Sequence, residues 1–330
     1  MTVPIADRVV GCLRGVATGD AIGKQTEMLA PDEVTRWYPN GVRSFEGEPN
    51  TVIPRYVGNS KREWRVGETT DDTERTIAVA HGIIADGTVS HSSIGREMLA
   101  CTKCVHPGVQ SLWEFHQARD PCRTATAHDG CGAAIRVAPV GVFFASQCLD
   151  ELVSGAYEAS ISTHGGSLAI AAAAANAAAV SAAIDGASGP EILELALTAA
   201  SHAESRWPGA SPKSTFTMAV RAAYDDLASL PMLRAHEIAT RWFPNHPLRI
   251  VPLALALATI MHSAEEAILL AANVGGDSDS VASIAGGILE ARFPTRVPRL
   301  WYEVVESVNG HDLAKLGHEL LSLRRSCSPV

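Results

Sequence analysis

The chain has 330 residues, 46% of them hydrophobic, which is enough to bury a substantial core in one large domain or two ordinary ones and excludes disorder over most of its length. Its formal charge of -9 argues against nucleic acid as a partner, and a phosphate-bearing ligand would need local cations or a metal to approach it. The seven cysteines (Cys12, Cys101, Cys104, Cys122, Cys131, Cys148 and Cys327) are odd in number and irregular in spacing, which argues against a secreted disulfide framework and for reduced thiols.

Met1 to Arg8 carries Asp7 and Arg8 and leads into an amphipathic pattern instead of a signal-peptide core, so the expected compartment is the cytoplasm. Val9, Leu13, Val16 and Ala17 recur at helical spacing. Gly11, Gly15, Gly19 and Gly23 fall four apart on one narrow stripe of that helix, where another backbone or a ligand can approach closely and offset glycine's poor helix propensity. Gly41 to Gly67, with Pro49, Pro54 and several charges, reads as a long irregular loop of the kind that often serves as a lid. Ile77, Ala80, His81 and Ile84 mark the next helix. Cys101-Thr102-Lys103-Cys104 has the spacing of half a zinc site or a redox pair, yet no second close Cys or His pair completes it. Ile135 to Phe144 is ambiguous between strand and helix. Leu168 to Ile184 is mostly alanine with Asn176 inside it, so it reads as a buried helix, and no membrane partner is expected. Ala203 to Ser214 reads as a loop without the composition shift of a linker, so residues 1–330 are expected to form one domain. Val281, Ile284, Ala285, Ile288 and Leu289 are again helical, and the predicted fold class is all-α.

Two acidic motifs carry the chemistry. Thr70-Asp71-Asp72-Thr73 sits where the long loop gives way to an apolar-periodic helix. Adjacent carboxylates repel unless a cation lies between them, and hard divalent ions prefer carboxylate and hydroxyl oxygens; the alternative is a helix cap, since Asp71 with Glu74 has capping-box spacing. Gly275-Gly276-Asp277-Ser278-Asp279-Ser280 combines a tight turn with two carboxylates at a second helix start, and turn-plus-cap chemistry again competes with metal binding. Together the two clusters can supply the oxygen-rich shell of a binuclear magnesium or manganese centre, an arrangement suited to hydrolysis.

The opening segment Gly11-Cys12-Leu13-Arg14-Gly15 through Gly19-Asp20-Ala21-Ile22-Gly23 and Glu27, then Thr70-Asp71-Asp72-Thr73, Gly130-Cys131-Gly132-Ala133-Ala134-Ile135-Arg136-Val137-Ala138-Pro139, Thr163-His164 and Gly275-Gly276-Asp277-Ser278-Asp279-Ser280 resemble the ADP-ribosylglycohydrolase family in that order. The resemblance spans nearly the whole chain. It implies a compact single-domain orthogonal helical bundle whose central cleft holds two Mg2+ or Mn2+ ions and cleaves the glycosidic bond of an ADP-ribosylated protein or small molecule. By that pattern the metal ligands are Thr70, Asp71, Asp72, Asp277, Asp279 and Ser280. The substrate loop is His128, Asp129, Gly130, Cys131 and Gly132, with His164 near the ligand. Glu27 and Asp72 are the two candidates for the general base, which the sequence does not separate.

His128 and Cys131 depart from the serine and asparagine that many active family members carry there, so phosphate contacts and the natural substrate can differ. Serine in place of threonine at Ser280 keeps the hydroxyl. Arg136 could neutralise a phosphate, but a structural role is favoured. The rival functional readings are a non-catalytic member that binds nucleotide and a hydrolase of a related small nucleotide N-glycoside.

Overall fold

The computed structural model describes residues 3–103, 128–208 and 216–327. Among these the helices are α1 (Ile5–Gly23), α2 (Pro31–Trp37), α3 (Asp71–Asp86), α4 (His91–Met98), α5 (Gly132–Ile135), α6 (Ala138–Phe143), α7 (Leu149–Ser160), α8 (Ser167–Ile184) and α9 (Gly189–Arg206). They continue with α10 (Phe216–Ala228), α11 (Ala235–Trp242), α12 (Pro247–Ile260), α13 (Ala264–Val274), α14 (Ser278–Arg292), α15 (Arg299–Asn309) and α16 (Leu313–Leu321). Only isolated bridges, Val52 with Arg65 and Phe144 with Arg325, pair extended backbone among the described residues, so the all-α expectation holds.

The architecture is organised by α1 lying against α14. The glycine stripe of α1 is the contact: a Cβ on Gly11 would sit 2.7 Å from the Glu290 carbonyl oxygen, one on Gly15 2.7 Å from the Gly286 carbonyl carbon, and one on Gly23 2.5 Å from the Asp279 Cα. Backbone therefore meets backbone along the whole pair, which brings the C-terminal end of α1 to the N-terminal end of α14. Helix α8 runs through the same core. It is long and apolar enough to cross a membrane by composition, yet 89% of it is buried inside the fold, in line with the buried-helix reading. Val9, Ala80, Phe143, Ala174, Leu255 and Ile288 belong to one continuous apolar cluster of this single compact domain.

One open reading is resolved and three local expectations are corrected. Ile135 to Phe144 is helical, forming the end of α5 and all of α6, because Pro139 falls in the first turn of α6, where its missing N–H is not needed. Helix α9 continues through Ala203 to Arg206, since Ala203 stays buried on the same face as Leu193, Ala196 and Ala200; residues 209–214 of the expected loop lie outside the described residues. The long loop before α3 is more than irregular chain: Ile53, Tyr56, Trp64 and Val66 pack as a small core of its own. Cys148 and Cys327 form a disulfide, with Cα atoms 5.4 Å apart, so the reduced-thiol expectation fails for that pair. The reason is tertiary: Arg325 N donates to Phe143 O at 2.7 Å and Ala145 N to Arg325 O at 2.9 Å, laying the C-terminal segment beside the start of α7. Cys12, Cys101 and Cys131 are free, whereas Cys104 and Cys122 lie outside the described residues, and with Cys104 the Cys101-to-Cys104 pair.

Glu290 on α14 is a buried acid away from the cleft. Its carboxylate accepts from Thr295 N at 2.9 Å and Val297 N at 2.6 Å, yet burial outweighs these bonds and pushes its pKa up to about 7. Between its ordinary 4.5 and about 7, the folded protein holds a proton that the unfolded chain has released. Glu290 therefore contributes a stability that declines as pH rises through this window. Chemical denaturation at a series of pH values should show Glu290→Gln flattening that part of the profile; an unchanged slope would mean the group titrates normally.

Candidate active site

The junction of α1, α3 and α14 opens into a cleft of about 870 Å3, lined by Glu27, Asp71, Asp72, Asp277, Asp279 and Ser280 on one side and Gly130, Cys131, Gly132 and His164 on another. The two acidic motifs, from opposite ends of the chain, thus share one space.

Each motif is held by local chemistry. Asp20, fully buried on α1, accepts from Thr70 N at 2.9 Å, Thr73 N at 3.1 Å and Thr73 Oγ1 at 2.5 Å, clamping the start of α3. Thr70 is the N-cap, its Oγ1 accepting from Asp72 N at 3.2 Å. The expected Asp71/Glu74 capping box does not form: the Glu74 carboxylate instead accepts from Thr102 N and Lys103 N, each at 2.9 Å, because the chain after α4 folds back over that turn. At the second motif Gly275 (φ 79°) and Gly276 (φ 66°) take left-handed conformations open to glycine. Met28 N donates to Gly276 O at 2.6 Å and Gly276 N to Leu29 O at 2.9 Å, so the same turn fixes the segment carrying Glu27.

Electrostatically the cleft is under tension. Burial, then Asp20, Asp71, Asp277 and Glu27, push the Asp72 carboxyl well above its ordinary range; burial, then Glu27, Asp277 and Asp72, do the same to Asp279. Burial raises Asp277 as well, and lifts Asp20 to about 6 despite its hydrogen bonds. Asp72 Oδ2 is buried with no hydrogen-bond partner. A hard cation would relieve both the repulsion and the orphaned oxygen, and the donors present are carboxylates and hydroxyls. By these criteria the residues fit a divalent ion. Among the described residues no group of three His, Cys, Asp or Glu side chains already forms a ligand shell, so closing one calls for side-chain rotation.

The predicted substrate loop divides. Gly130 and Gly132 pack against His164: a Cβ on Gly132 would lie 2.7 Å from its Cε1. His164 is buried and its Nδ1 lies 2.7 Å from Thr163 Oγ1. Cys131 Sγ donates to Asp277 Oδ2 at 3.4 Å, tying the loop to the acids, and burial followed by Asp277 and Asp72 raises its thiol pKa strongly. Asp129 faces away, accepting from Leu168 N at 2.9 Å at the start of α8, and the His128 ring stands edge-on to His164 with centroids 5.6 Å apart; neither lines the cleft. Thr70 lies behind the lining as the cap. Arg136 is structural: fully buried, it donates to Gly132 O at 2.9 Å, Ala159 O at 2.9 Å and Thr163 Oγ1 at 2.7 Å.

Several residues escaped the sequence reading. Asp20 was visible as an acid beside the glycine stripe, but its clamp depends on α3 being adjacent. Arg55 donates to Gln25 O and Glu27 O, each at 2.7 Å, and straps the turn that carries Glu27; nothing in the irregular loop marked it. Lys24 pairs with Glu27 and stands 4.2 Å from the Trp64 ring centroid. Burial opposes its charge, but Glu27, Asp279 and Tyr56 together raise its pKa. Lys103 donates to Thr69 O at 2.6 Å, and burial lowers its pKa.

A helical domain with paired acidic motifs meeting in one cleft defines a class, and the comparisons with known proteins agree with it. The ADP-ribosylglycohydrolase family model matches residues 1–329, and the chain belongs to that family of glycohydrolases. An uncharacterised protein of Archaeoglobus fulgidus is 27% identical over 308 residues, covering 88% of this chain and 89% of its own. The uncharacterised protein YegU of Escherichia coli is 27% identical over 307 residues, covering 86% and 87% respectively. ADP-ribosyl-[dinitrogen reductase] glycohydrolase of Rhodospirillum rubrum is 26% identical over 149 residues, 43% of this chain and 47% of the relative. A solved structure of an ADP-ribosylglycohydrolase-related protein complex shares the fold, with a TM-score of 0.73 over 97% of this chain and 99% of its own, at 21% identity.

Proposed function

We propose that the protein is a divalent-metal-dependent hydrolase that cleaves the glycosidic bond of an ADP-ribosylated acceptor and releases ADP-ribose. The observation that carries this reading is the convergence of the two acidic motifs, with the orphaned Asp72 Oδ2, on a cleft also lined by the glycine loop and His164. Asp71, Asp72, Asp277, Asp279 and Ser280, with Thr70 behind them, would hold two Mg2+ or Mn2+ ions. When bound, the ions would supply Lewis acidity and offset phosphate charge.

The chain's own residues would do the rest. Gly130, Cys131 and Gly132, packed on His164, line the cleft where a diphosphate would lie, and the carboxylates stabilise positive character as the ribose loses its acceptor. Glu27 stands at the cleft, partly exposed, held by Lys24 and 3.4 Å from the Tyr56 hydroxyl, while Asp72 is sealed in. Of the two candidate bases Glu27 has the easier exchange of protons with water, so it is assigned the proton transfer and Asp72 the ions.

The test is release of free ADP-ribose from modified arginine, modified serine and small-molecule adducts with Mg2+ or Mn2+. Release from at least one supports the reading; tight ADP-ribose binding with no release from any would support a non-catalytic member. With the active adduct, Glu27→Gln should lower kcat by at least about a hundredfold while ADP-ribose still binds. Wild-type turnover would remove Glu27 from the chemistry.

A further inference from the structure

Two arginines flank Gly132, and they spend their donors differently. Arg136, behind the loop, uses its guanidinium on the carbonyls of Gly132, Ala159 and Ser160 and on Thr163. Arg75, one turn into α3, lies on the cleft side, with Nη1 3.6 Å from where a Cβ of Gly132 would be. It is only 4% exposed, yet its one ion pair is Nε to Asp71 Oδ2 at 3.8 Å, too long for a hydrogen bond. The Nη groups of that fork make no hydrogen bond among the described residues. The contrast is with Arg136, whose Nη groups all reach carbonyls or Thr163, whereas those of Arg75 are turned to the cleft. Donors that face a cleft without a protein acceptor are open to an anionic ligand that supplies one.

We propose that Arg75 is the cleft's anion anchor, receiving two oxygens of a substrate phosphate above Gly132. A planar fork suits a phosphate's paired oxygens, whereas a neutral sugar offers no charge to match it. The proposal rests on the reading above in taking the cleft as the substrate site, and it assigns to Arg75 the phosphate that this substrate carries. The rival explanation is that Arg75 only balances Asp71. In that case its removal alters ion binding and leaves phosphate binding alone.

The test is calorimetry on the full chain with Mg2+ present, using ADP-ribose, inorganic pyrophosphate and ribose as probes. Arg75→Met should weaken ADP-ribose and pyrophosphate about ten- to a hundredfold, the range of charge-assisted hydrogen bonds, with ribose unaffected and Mg2+ bound at least as well. Arg75→Lys, which keeps charge without the fork, should fall between, and it carries the test if Arg75→Met fails to fold. ADP-ribose and pyrophosphate affinities within twofold of wild type in both variants would overturn the proposal. Arg75-dependent pyrophosphate binding in a protein that cleaves no adduct would uphold it while refuting the proposed reaction.

Discussion

Replacing Asp72 or Asp277 by asparagine is expected to abolish divalent-ion binding and turnover together, although the two positions belong to opposite ends of the chain. Each acid belongs to a cluster in which burial and neighbouring carboxylates already raise the pKa, so each ionised group depends on the others sharing a cation. The same crowding gives a second signature. Without ions the folded state resists ionisation of Asp72, so its stability falls as pH rises above the ordinary Asp value of 3.8. Asp72→Asn removes that burden and should melt no lower than the wild type in chelator at neutral pH. Adding Mg2+ or Mn2+ should then reverse the order, stabilising only the wild type, by about 2.7 kcal/mol at a hundredfold excess over Kd. Calorimetry and thermal melts with and without chelator read both effects. Unchanged ion stoichiometry in both variants would reduce the motifs to helix caps.

Gly19→Ala is expected to destabilise the protein by more than about 3 kcal/mol, the large end of overpacking effects. The sign matters, because the same change in an exposed helix stabilises by about 1 kcal/mol. Here the new Cβ would stand 2.5 Å from the Ala282 carbonyl carbon and 2.8 Å from Ser283 N, atoms of the α14 backbone that cannot swing aside as a side-chain tip can. Relief means moving α1 away from α14, which would also pull Asp20 from α3 and Lys24 from Asp279. Denaturant titration should therefore show the loss together with weakened ion binding. A Gly19→Ala variant as stable as the wild type would contradict the packing of this helix pair.

Much of this was legible in the sequence for reasons that are local. Helical periodicity is a property of a short window, and the four-residue glycine spacing announced a close contact. It could not say that α14 was the partner. The acidic motifs were readable because two clusters of acids and hydroxyls, each at a helix start, recur in one chain, although either alone could be a cap. What stayed hidden depends on distant neighbours: Asp129 and Glu74 accept backbone N–H groups from segments that only tertiary folding brings near, and Cys148 meets Cys327 because residues 143–145 pair with Arg325. Arg75 was invisible for the same reason, since on the helix pattern alone it is an ordinary polar residue one turn from Asp71.

The pairing of α1 with α14 also orders events during synthesis. Helix α1 carries Asp20 and leaves the ribosome well before α14, so the surface that receives its glycines is made only when residues 278–292 have emerged. Until then a row of bare backbone on α1 has no mate, and the contacts that complete the domain are among the longest in sequence separation the chain can make. A nascent chain that already displays Thr70-Asp71-Asp72-Thr73 thus has half a cleft and an unpaired helix, a state prone to association with other chains and in need of shielding until α14 has emerged.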